Sequence, residues 1–174
     1  IISTVGNGVI HLQKSQAAGS YGSNYGLFVS ADGSQLKEVN RRAEIDTTGT
    51  MCTEGIIKGN EKGGFVCMDE TARKMLPYNK EYELKEGKYP GGTQEIAAGR
   101  AFFSEMGYDD VKVGDTVTLD YRAGMQSEYK PEEFVVSGIL YDRDEYTIEA
   151  SYVAFGSQEF YDEHVAENDR QYNI

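Results

Sequence analysis

Glu86-Gly-Lys-Tyr-Pro90, Glu95-Ile-Ala-Ala98, Val113-Gly-Asp115 and Phe134-Val-Val-Ser-Gly-Ile-Leu140 follow one another in the part of the sequence that decides the fold. Tyr89-Pro90-Gly91-Gly92 predicts a turn, because proline fixes φ, keeps the residue before it extended, and precedes two glycines that accept positive φ. The nearly continuous apolar run from Phe134 to Leu140 is typical of a buried strand.

A helix and a strand are predicted between these motifs. The apolar segment from Gly99 to Met106 predicts a short helix, and Gly107 is placed to end it. The segment Thr116–Tyr121 alternates in polarity, which predicts a strand with one apolar face. Three side chains share that face: Val117, Leu119 and Tyr121.

The pattern on either side predicts further strands and short helices. Candidate helix N-caps are Asp32, Ser34, Asp69 and Ser157. Strands are expected over 25–30, 50–58, 64–68 and 150–155, and helices over about 34–45, 70–76 and from 158 onward. We expect an extended segment over 78–84 and a loosely held polar tail over 167–173. The sequence contains no detectable internal repeat.

The two cysteines lie in the predicted hairpin over residues 50–68. Gly59-Asn60 is a favoured two-residue hairpin loop, and counting outward from it places Cys52 opposite Cys67. A loop centred on residues 60–62 would break that pairing. A Cys52–Cys67 disulfide and a pair of buried thiols both fit this count, because proximity does not decide oxidation.

Composition limits the classes of function. A chain of 174 residues is long enough for one well-buried core. Its 17 Lys and Arg against 29 Asp and Glu give a formal net charge of -12. That charge argues against nucleic acid as a partner, because binding to nucleic acid depends on neutralising phosphates with basic side chains. It equally disfavours binding to anionic lipid through a basic patch.

The sequence contains no arrangement that predicts catalysis. Neither histidine, His11 or His164, belongs to a nucleophile or metal motif. Two cysteines without a neighbouring histidine pair do not predict a zinc site. The acidic residues at 142, 144 and 145 lack the glycine and the bidentate glutamate of a calcium loop. We therefore expect a protein that is not an enzyme and holds no cofactor or metal.

In their order along the chain, these motifs resemble the MacB-like periplasmic core domain, the extracytoplasmic domain of FtsX/MacB-type ABC-transporter permeases. The matching elements are Glu86–Pro90, the strand at 95–98, the helix ending in Met106-Gly107, the Val113-Gly-Asp115 turn and the strand at 134–140. Upstream, Gly19-Ser-Tyr21 and Phe28-Val-Ser30 resemble the opening of the same domain. The resemblance spans roughly residues 19 to 155.

The predicted fold is α+β, with helices packed on a mixed or antiparallel sheet. The resemblance implies that residues 1–174 are a single extracytoplasmic domain of a longer membrane protein. It also implies two lobes. A βαβ porter-like lobe would comprise residues 1–88 together with 146–174, and a smaller β-rich lobe would comprise residues 91–145.

The resemblance implies a non-catalytic domain on the extracytoplasmic face of the cell membrane. Such a domain contacts a substrate or partner proteins, or it transmits ATP-driven conformational change outside the membrane. The implied partners are flanking transmembrane helices, a cytoplasmic ABC ATPase, a second permease copy and an extracellular substrate, protein or peptide, with no nucleic acid. The alternative is a secreted or surface-anchored binding or adhesion module unrelated to transport.

Four tyrosines are candidates for a contact surface: Tyr21, Tyr25, Tyr121 and Tyr129. Tyrosine supplies amphipathic contact area at low entropic cost and is enriched at interfaces. The alternative is that these rings cover sheet edges of this same domain. Because the net charge of -12 repels like copies, we expect the isolated domain to be monomeric in dilute solution.

Overall fold

The computed structural model describes residues 22, 26–76, 80–124, 127–142 and 152–174. The α-helices are α1 (Gly33–Val39), α2 (Glu70–Met75), α3 (Arg100–Glu105) and α4 (Gln158–His164), and short 3-10 helices cover Lys80–Tyr82 and Glu167–Asp169. The strands are β1 (Met51–Ile57), β2 (Phe65–Met68), β3 (Leu84–Gly87), β4 (Glu95–Gly99), β5 (Thr116–Arg122), β6 (Lys130–Leu140) and β7 (Ala154–Ser157). Within these ranges, no helix has the length and apolar character needed to cross a bilayer.

Six of these strands close into a barrel. Going around the ring, the order is β6-β4-β7-β2-β1-β5, and β5 pairs back onto β6. Strand β3 lies outside the ring, where it continues along the same edge of β6 that β5 occupies earlier in that strand. The 11 residues of β6 make this possible, because the strand is long enough to pair with β5, β4 and β3 at different positions.

The sheet is mixed, which confirms the predicted α+β fold with helices packed on it. β4 runs parallel to β6, β2 runs parallel to β7, and the other neighbours in the ring are antiparallel. Strands β4, β5 and β6 come from the expected 91–145 lobe, whereas β1, β2 and β7 come from the other lobe. The lobes stay a prediction, but a division between them would cut through one continuous sheet.

The barrel interior is filled mainly by aromatic side chains. Phe65 lies at its centre, with edge-to-face contacts to Tyr121 at 5.5 Å, Phe134 at 5.8 Å and Phe160 at 5.6 Å between ring centroids. Strand β5 shows the alternation that its sequence predicts, since Val117, Leu119 and Tyr121 are buried and the residues between them are not. Edge-to-face ring packing adds to the stabilisation from apolar burial.

A second apolar layer covers the outside of the barrel. It contains Met68, Ala97, Leu140 and Phe155, which are buried beneath partly exposed apolar side chains of α2, the 3-10 helix at 80–82, and β3. The strands that lie under this layer are therefore apolar on both faces where it covers them. This explains why the sequence of β4 is apolar throughout its centre rather than alternating.

Three of the predicted helix caps are confirmed. Asp32 caps α1 in a capping box with Gln35, Asp69 caps α2, and the Ser157 hydroxyl accepts from the Phe160 N–H at 3.0 Å. α1 ends at Val39 rather than near residue 45. Its C-cap is Asn40, whose side-chain oxygen accepts from the Thr48 hydroxyl and ties the helix end to the following loop.

Two predicted connections are wrong in detail. Cys52 does lie opposite Cys67, but a bulge shifts the register so that Gly55 faces Phe65, and residues 58–64 form the connection. The two-residue loop fails because Asn60 is buried and binds the backbone of the segment before β7, as described below. The segment expected to be extended over 78–84 contains a 3-10 helix at Lys80–Tyr82, and residues 77–79 lie outside the described chain.

The tail expected to be loosely held is tied to the barrel. Tyr172 forms an antiparallel bridge with Ala31, and Asn173 forms one with Met51 at the start of β1. The Tyr161 hydroxyl donates to the Gln171 carbonyl at 3.0 Å and accepts from the Gln171 N–H at 2.8 Å. The sequence of residues 167–173 does not predict these bonds, because backbone hydrogen bonds leave no pattern in the side chains.

Candidate functional site

A groove with a volume of about 550 Å³ lies on the outside of the barrel, between residues 68–73, 84–91 and 155–159. We call it the outer groove. Met68, Leu84 and Phe155 supply apolar lining, and polar and charged side chains come from α2, the 88–91 turn and residues 157–159. Pockets that are mostly apolar with a few polar groups are typical ligand sites.

One wall of the outer groove is an arginine stacked on a tyrosine. The guanidinium carbon of Arg73 lies 4.4 Å from the ring centroid of Tyr89, and the Tyr89 hydroxyl donates to the Tyr82 carbonyl at 2.6 Å. The hydroxyl bond fixes the ring, and the ring orients the guanidinium. Arg73 keeps 27% of its side chain exposed, so its remaining donors can bind an acidic group beside the apolar lining.

The turn that carries Tyr89 is organised by a carboxylate. Glu95 accepts from the Lys88 ammonium at 2.7 Å and from the N–H groups of Gly91 and Gly92 at 2.8 and 3.0 Å. Burial alone would raise the pKa of Glu95, but these hydrogen bonds outweigh it and lower the pKa to about 2. The wall of the groove is therefore preformed at neutral pH.

A second groove, with a volume of about 870 Å³, lies between residues 26–28, 44–51 and 173–174. We call it the terminal groove. Leu27, Phe28 and Val29 beside it are 59, 53 and 67% exposed. Neighbouring apolar side chains with this exposure are a feature of contact surfaces. Residues 1–21 and 23–25, which precede this segment, lie outside the described chain.

The four candidate contact tyrosines do not form one surface. Tyr21 and Tyr25 lie outside the described residues. Tyr121 is only 3% exposed, so the expectation that it lies at the surface was wrong. The alternation in β5 already placed it on the face with Val117 and Leu119. Tyr129 is half-buried, with the Arg122 guanidinium 4.7 Å from its ring centroid, and it remains a candidate surface residue.

The Tyr121 hydroxyl is the notable polar group of the barrel interior. It has no hydrogen-bond partner among the described residues. Burial, followed by the neighbouring Cys67, Tyr161, Glu132 and Cys52, raises the pKa of Tyr121 well above its ordinary value. The hydroxyl is therefore neutral, and its burial without a partner costs free energy.

The cysteines face each other on β1 and β2, and both are 2% exposed. Neither sulfur forms a disulfide in the structure, and the oxidation state of the pair stays a prediction. The Cys52 sulfur lies 3.7 Å from the side-chain amide of Gln158, the first residue of α4. That amide also contacts Thr50 at 3.2 Å and Asp162 at 3.2 Å.

Asp162 connects α4 to the last described residues. Its carboxylate accepts from the Tyr172 hydroxyl at 3.2 Å, and its carbonyl accepts from the Arg170 guanidinium. Burial and the Asp162 charge raise the pKa of Tyr172 to about 12. The polar contacts from Gln158 to Arg170 thus fix the tail onto the helix. No cluster of metal-ligating side chains occurs among the residues that the structure describes.

The sequence analysis missed the residues that shape the outer groove and one buried amide. Arg73 and Tyr89 come from separate elements, so no local spacing predicts that they stack. The buried amide is Asn60, whose side chain donates to the Tyr152 carbonyl at 2.8 Å and accepts from the Tyr152 N–H at 3.1 Å. Because Asn60 follows a glycine, its sequence context is typical of a turn residue. That context gives no indication that the side chain also pairs with the backbone of Tyr152.

Comparison with known proteins identifies no relative: no family model matches the chain, and no curated protein is significantly similar to it.

Proposed function

We propose that the chain is a non-catalytic extracytoplasmic domain of an ABC-transporter permease, inserted between membrane segments. It contacts a substrate or a partner protein outside the membrane, or it passes on conformational change driven by a cytoplasmic ABC ATPase. The sequence resemblance to FtsX/MacB-type permeases suggests the family, and the geometry of the first and last described segments carries the argument.

The observation that carries the proposal is that these two segments run side by side. Phe28 and Ile174 exchange two backbone hydrogen bonds of 2.9 Å each, and Ala31 and Tyr172 exchange two more of 2.8 and 2.9 Å. The pairing is antiparallel, so Gly26 and Ile174 lie at the same end of the two paired segments. Neighbouring segments of this kind are common in domains and are compatible with insertion into a second structure.

Anchoring of the C-terminal segment supports a mechanical role. Asn173 and Met51 exchange two backbone hydrogen bonds of 2.9 and 2.8 Å, so a pull on residue 174 acts directly on the first strand of the barrel. The barrel has closed edges and an interdigitated aromatic core, and tightly packed interiors transmit displacement with little deformation. Motion of membrane helices would then move the outer groove as part of a rigid body.

The test is the exposure of this domain in cells that make the full-length protein. Ser127 is exposed in the loop between β5 and β6, so Ser127→Cys places a reactive thiol at the surface. The wild-type chain is the matched control, because its own cysteines are each only 2% exposed. We expect a membrane-impermeant maleimide to label the variant, but not the wild type, in intact cells.

Two outcomes would overturn the proposal. Labelling of Ser127→Cys only after the cells are permeabilised would place the domain on the wrong side of the membrane. Release of the labelled protein by an alkaline wash of the membranes would favour the secreted or surface-anchored module instead. Retention in the membrane, together with two flanking apolar segments of about 20 residues in the full-length sequence, supports the permease.

A further inference from the structure

The terminal groove lies beside an exposed, strand-like segment, residues 26–30, which we call the terminal edge. Phe28 directs both of its backbone groups to Ile174, in two hydrogen bonds of 2.9 Å. Backbone groups of successive strand residues point to opposite sides, so those of Leu27 and Val29 face away from Ile174. Neither Leu27 nor Val29 has a backbone hydrogen bond to any residue that the structure describes, and residues 26–30 are all exposed. The segment is therefore an open strand edge, which is a template for pairing with another chain.

The groove itself is apolar, and one of its walls, the loop at 44–49, is held in place. A Cβ added at Gly49 would lie 2.3 Å from the Ala72 backbone nitrogen, so this loop packs directly against α2. The Thr48 hydroxyl donates to the Asn40 side chain and holds the same loop to the end of α1. The wall is therefore preformed, which lowers the entropic cost of binding. Half-buried apolar side chains line the groove: Ile45, Met51, Met75 and Leu76.

The charged side chains in the lining of the terminal groove are both acidic. They belong to Glu44 and Asp46, which are exposed on the loop, and no Lys or Arg of the described chain lines the groove. The nearby Arg42 directs its guanidinium to Glu38 of α1, at 2.6 Å. An occupant with basic groups complements this surface. A second copy of the chain would instead bring a net charge of -12 to it, and like charges repel.

We propose that the terminal edge and the terminal groove bind an extended segment of a partner protein, in which apolar side chains are flanked by basic ones. The segment pairs with the terminal edge through its backbone and extends the ribbon formed by residues 28–31 and 172–174. Its apolar side chains enter the groove, and its basic side chains lie near Glu44 and Asp46. Backbone pairing gives such a contact its affinity, and the groove with its two carboxylates gives it specificity.

The proposed contact defines a class of partner and goes beyond the proposed function. It rests on the open edge, the apolar lining and the local charge, so it holds for a permease domain and for a secreted module alike. Its test is separate from the labelling of Ser127→Cys in cells. A domain that is labelled outside the cell and binds no such segment would leave the proposed function standing and overturn this contact.

The experiment measures the binding of fluorescently labelled peptides to the purified chain by fluorescence anisotropy. The peptides have about six residues, the usual length of a strand. The lysine peptide has a centre of valine and threonine with a lysine at each end, and the glutamate peptide has a glutamate at each end instead. A third peptide is the lysine peptide with N-methylated amides, which keeps the side chains but cannot donate backbone hydrogen bonds.

We expect the lysine peptide to bind the wild-type chain about ten-fold more tightly than the glutamate peptide, with an affinity that falls as salt is added. N-methylation should lower the affinity about ten-fold, because backbone hydrogen bonds to the terminal edge are lost. Exchange of the Leu27 and Val29 amide hydrogens, followed by NMR, should slow when the lysine peptide is bound.

Matched variants locate the charge contact. Glu44→Gln combined with Asp46→Asn removes two carboxylates from the groove and should weaken binding of the lysine peptide about five-fold. Glu105→Gln combined with Glu133→Gln makes the same change in net charge at two exposed carboxylates that line neither groove. That control should leave the affinity nearly unchanged.

Equal or tighter binding of the glutamate peptide would overturn the charge complementarity, and equal binding of the N-methylated peptide would overturn strand addition. Binding that appears only after removal of residues 1–21 would assign the groove to the chain's own N-terminal segment, and absence of binding in both forms would overturn the site. A wild-type dimer that Val29→Lys dissociates would assign the edge to a second copy. The comparison of peptides uses the wild-type chain alone, so it decides the matter even if the variants fail to fold.

Discussion

Two strand–helix units of the barrel, β4–α3 and β7–α4, have the same layout and different chemistry. Each strand passes directly into its helix, and the two strands pair antiparallel through Ala97–Phe155 and Ala98–Ala154. Each strand also runs parallel to the second strand of a hairpin: β4 to β6 of the β5–β6 hairpin, and β7 to β2 of the β1–β2 hairpin. The hairpin follows its unit in one case and precedes it in the other.

The helices bury equivalent aromatic pairs, Phe102–Phe103 in α3 and Phe160–Tyr161 in α4. α4 is capped by its own Ser157, whereas α3 begins after Gly99 and borrows the Asp142 carboxylate, which accepts from the Ala101 N–H at 2.8 Å. The β7–α4 unit also carries the polar side chains that reach Cys52 and the tail. The same scaffold therefore supports two sets of polar contacts: side chains of β7–α4 reach Cys52 and the tail, whereas α3 takes its cap from Asp142.

The first way to break this comparison is to truncate the two buried phenylalanines. Phe160 contacts Phe65, Tyr121 and Phe134 and stacks on His164 with centroids 3.9 Å apart. Phe102 has an edge-to-face contact with Phe103 at 5.3 Å. We expect Phe160→Ala to lower the free energy of unfolding by about 4–5 kcal/mol and Phe102→Ala by about 3–4 kcal/mol, as measured by urea denaturation.

A matched surface change is Val135→Ala, because Val135 is 41% exposed on β6. It should change the free energy of unfolding by no more than about 0.5 kcal/mol. A larger loss for Phe102→Ala than for Phe160→Ala would show that the β4–α3 half, and not the aromatic cluster under α4, dominates the core.

The second prediction concerns the way the two strands are held at their beginnings. The start of β4 is held by a backbone bond from the Val135 N–H to the Gln94 carbonyl at 2.7 Å. The start of β7 has a comparable backbone bond, from the Ala154 N–H to the Gly64 carbonyl at 2.9 Å, and the Asn60 side chain additionally pairs with both backbone groups of Tyr152. Asn60→Ala leaves those groups without partners and should cost about 2 kcal/mol in unfolding free energy.

Gln94→Ala is the control for Asn60→Ala. Gln94 is exposed and contributes its backbone to the equivalent bond, so its truncation should leave stability nearly unchanged. Equal losses for the two variants in urea denaturation would mean that the Asn60 amide does not substitute for a strand in holding Tyr152.

The two strand–helix units show what the sequence can and cannot predict. The strand at 116–121, the helix after Asp69 and the opposition of Cys52 and Cys67 follow from patterns within a few residues of each other, and the structure confirms them. The closing pair of the barrel joins Ile56 to Arg122. Residues in such a pair are far apart in the chain, and neither strand carries a mark that selects its partner. The repeated layout of the two units is hidden for the same reason, because only their aromatic pairs are alike in sequence.

The candidate site is less predictable than the fold. The stacking of Arg73 on Tyr89 brings together an α2 side chain and a turn, and the two have no common periodicity. The burial of Tyr121 was predictable from its strand, but the enrichment of tyrosine at interfaces suggested a contact residue instead. Local pattern describes which face a side chain occupies. It does not say whether that face is covered by the rest of the molecule.

The third prediction tests whether the beginning of β4 is sensitive to pH. Glu95 has a folded-state pKa of about 2 against an ordinary value of 4.5. The contribution of the Glu95 carboxylate to the free energy of unfolding is therefore fully present above about pH 4.5 and is lost as the pH falls toward 2. Because the Lys88 side chain is 69% exposed, solvent screening limits the contribution to about 1 kcal/mol.

We expect Glu95→Gln to be less stable than wild type by that amount near neutral pH and nearly equal to it at about pH 2.5. Comparing the two chains at each pH cancels the titration of the other carboxylates. Asn60→Ala is the control, because an amide does not titrate and its loss should persist wherever the wild type remains folded. A constant difference between Glu95→Gln and wild type would contradict the low pKa of Glu95.

The smallest effect is expected at Tyr121, and its sign is informative. The Tyr121 hydroxyl is buried without a partner among the described residues, so the folded chain gains nothing from it and loses its hydration. Tyr121→Phe should therefore leave the free energy of unfolding within about 0.5 kcal/mol of wild type, or raise it. Tyr161→Phe is the matched comparison, because Tyr161 exchanges two hydrogen bonds with Gln171 and its hydroxyl should be worth about 1–2 kcal/mol. That change also makes α4 resemble α3, where the equivalent residue is Phe103. If Tyr121→Phe proves as costly as Tyr161→Phe in urea denaturation, the Tyr121 hydroxyl has a partner inside the barrel, and the interior is a second polar centre rather than an aromatic core with one unsatisfied group.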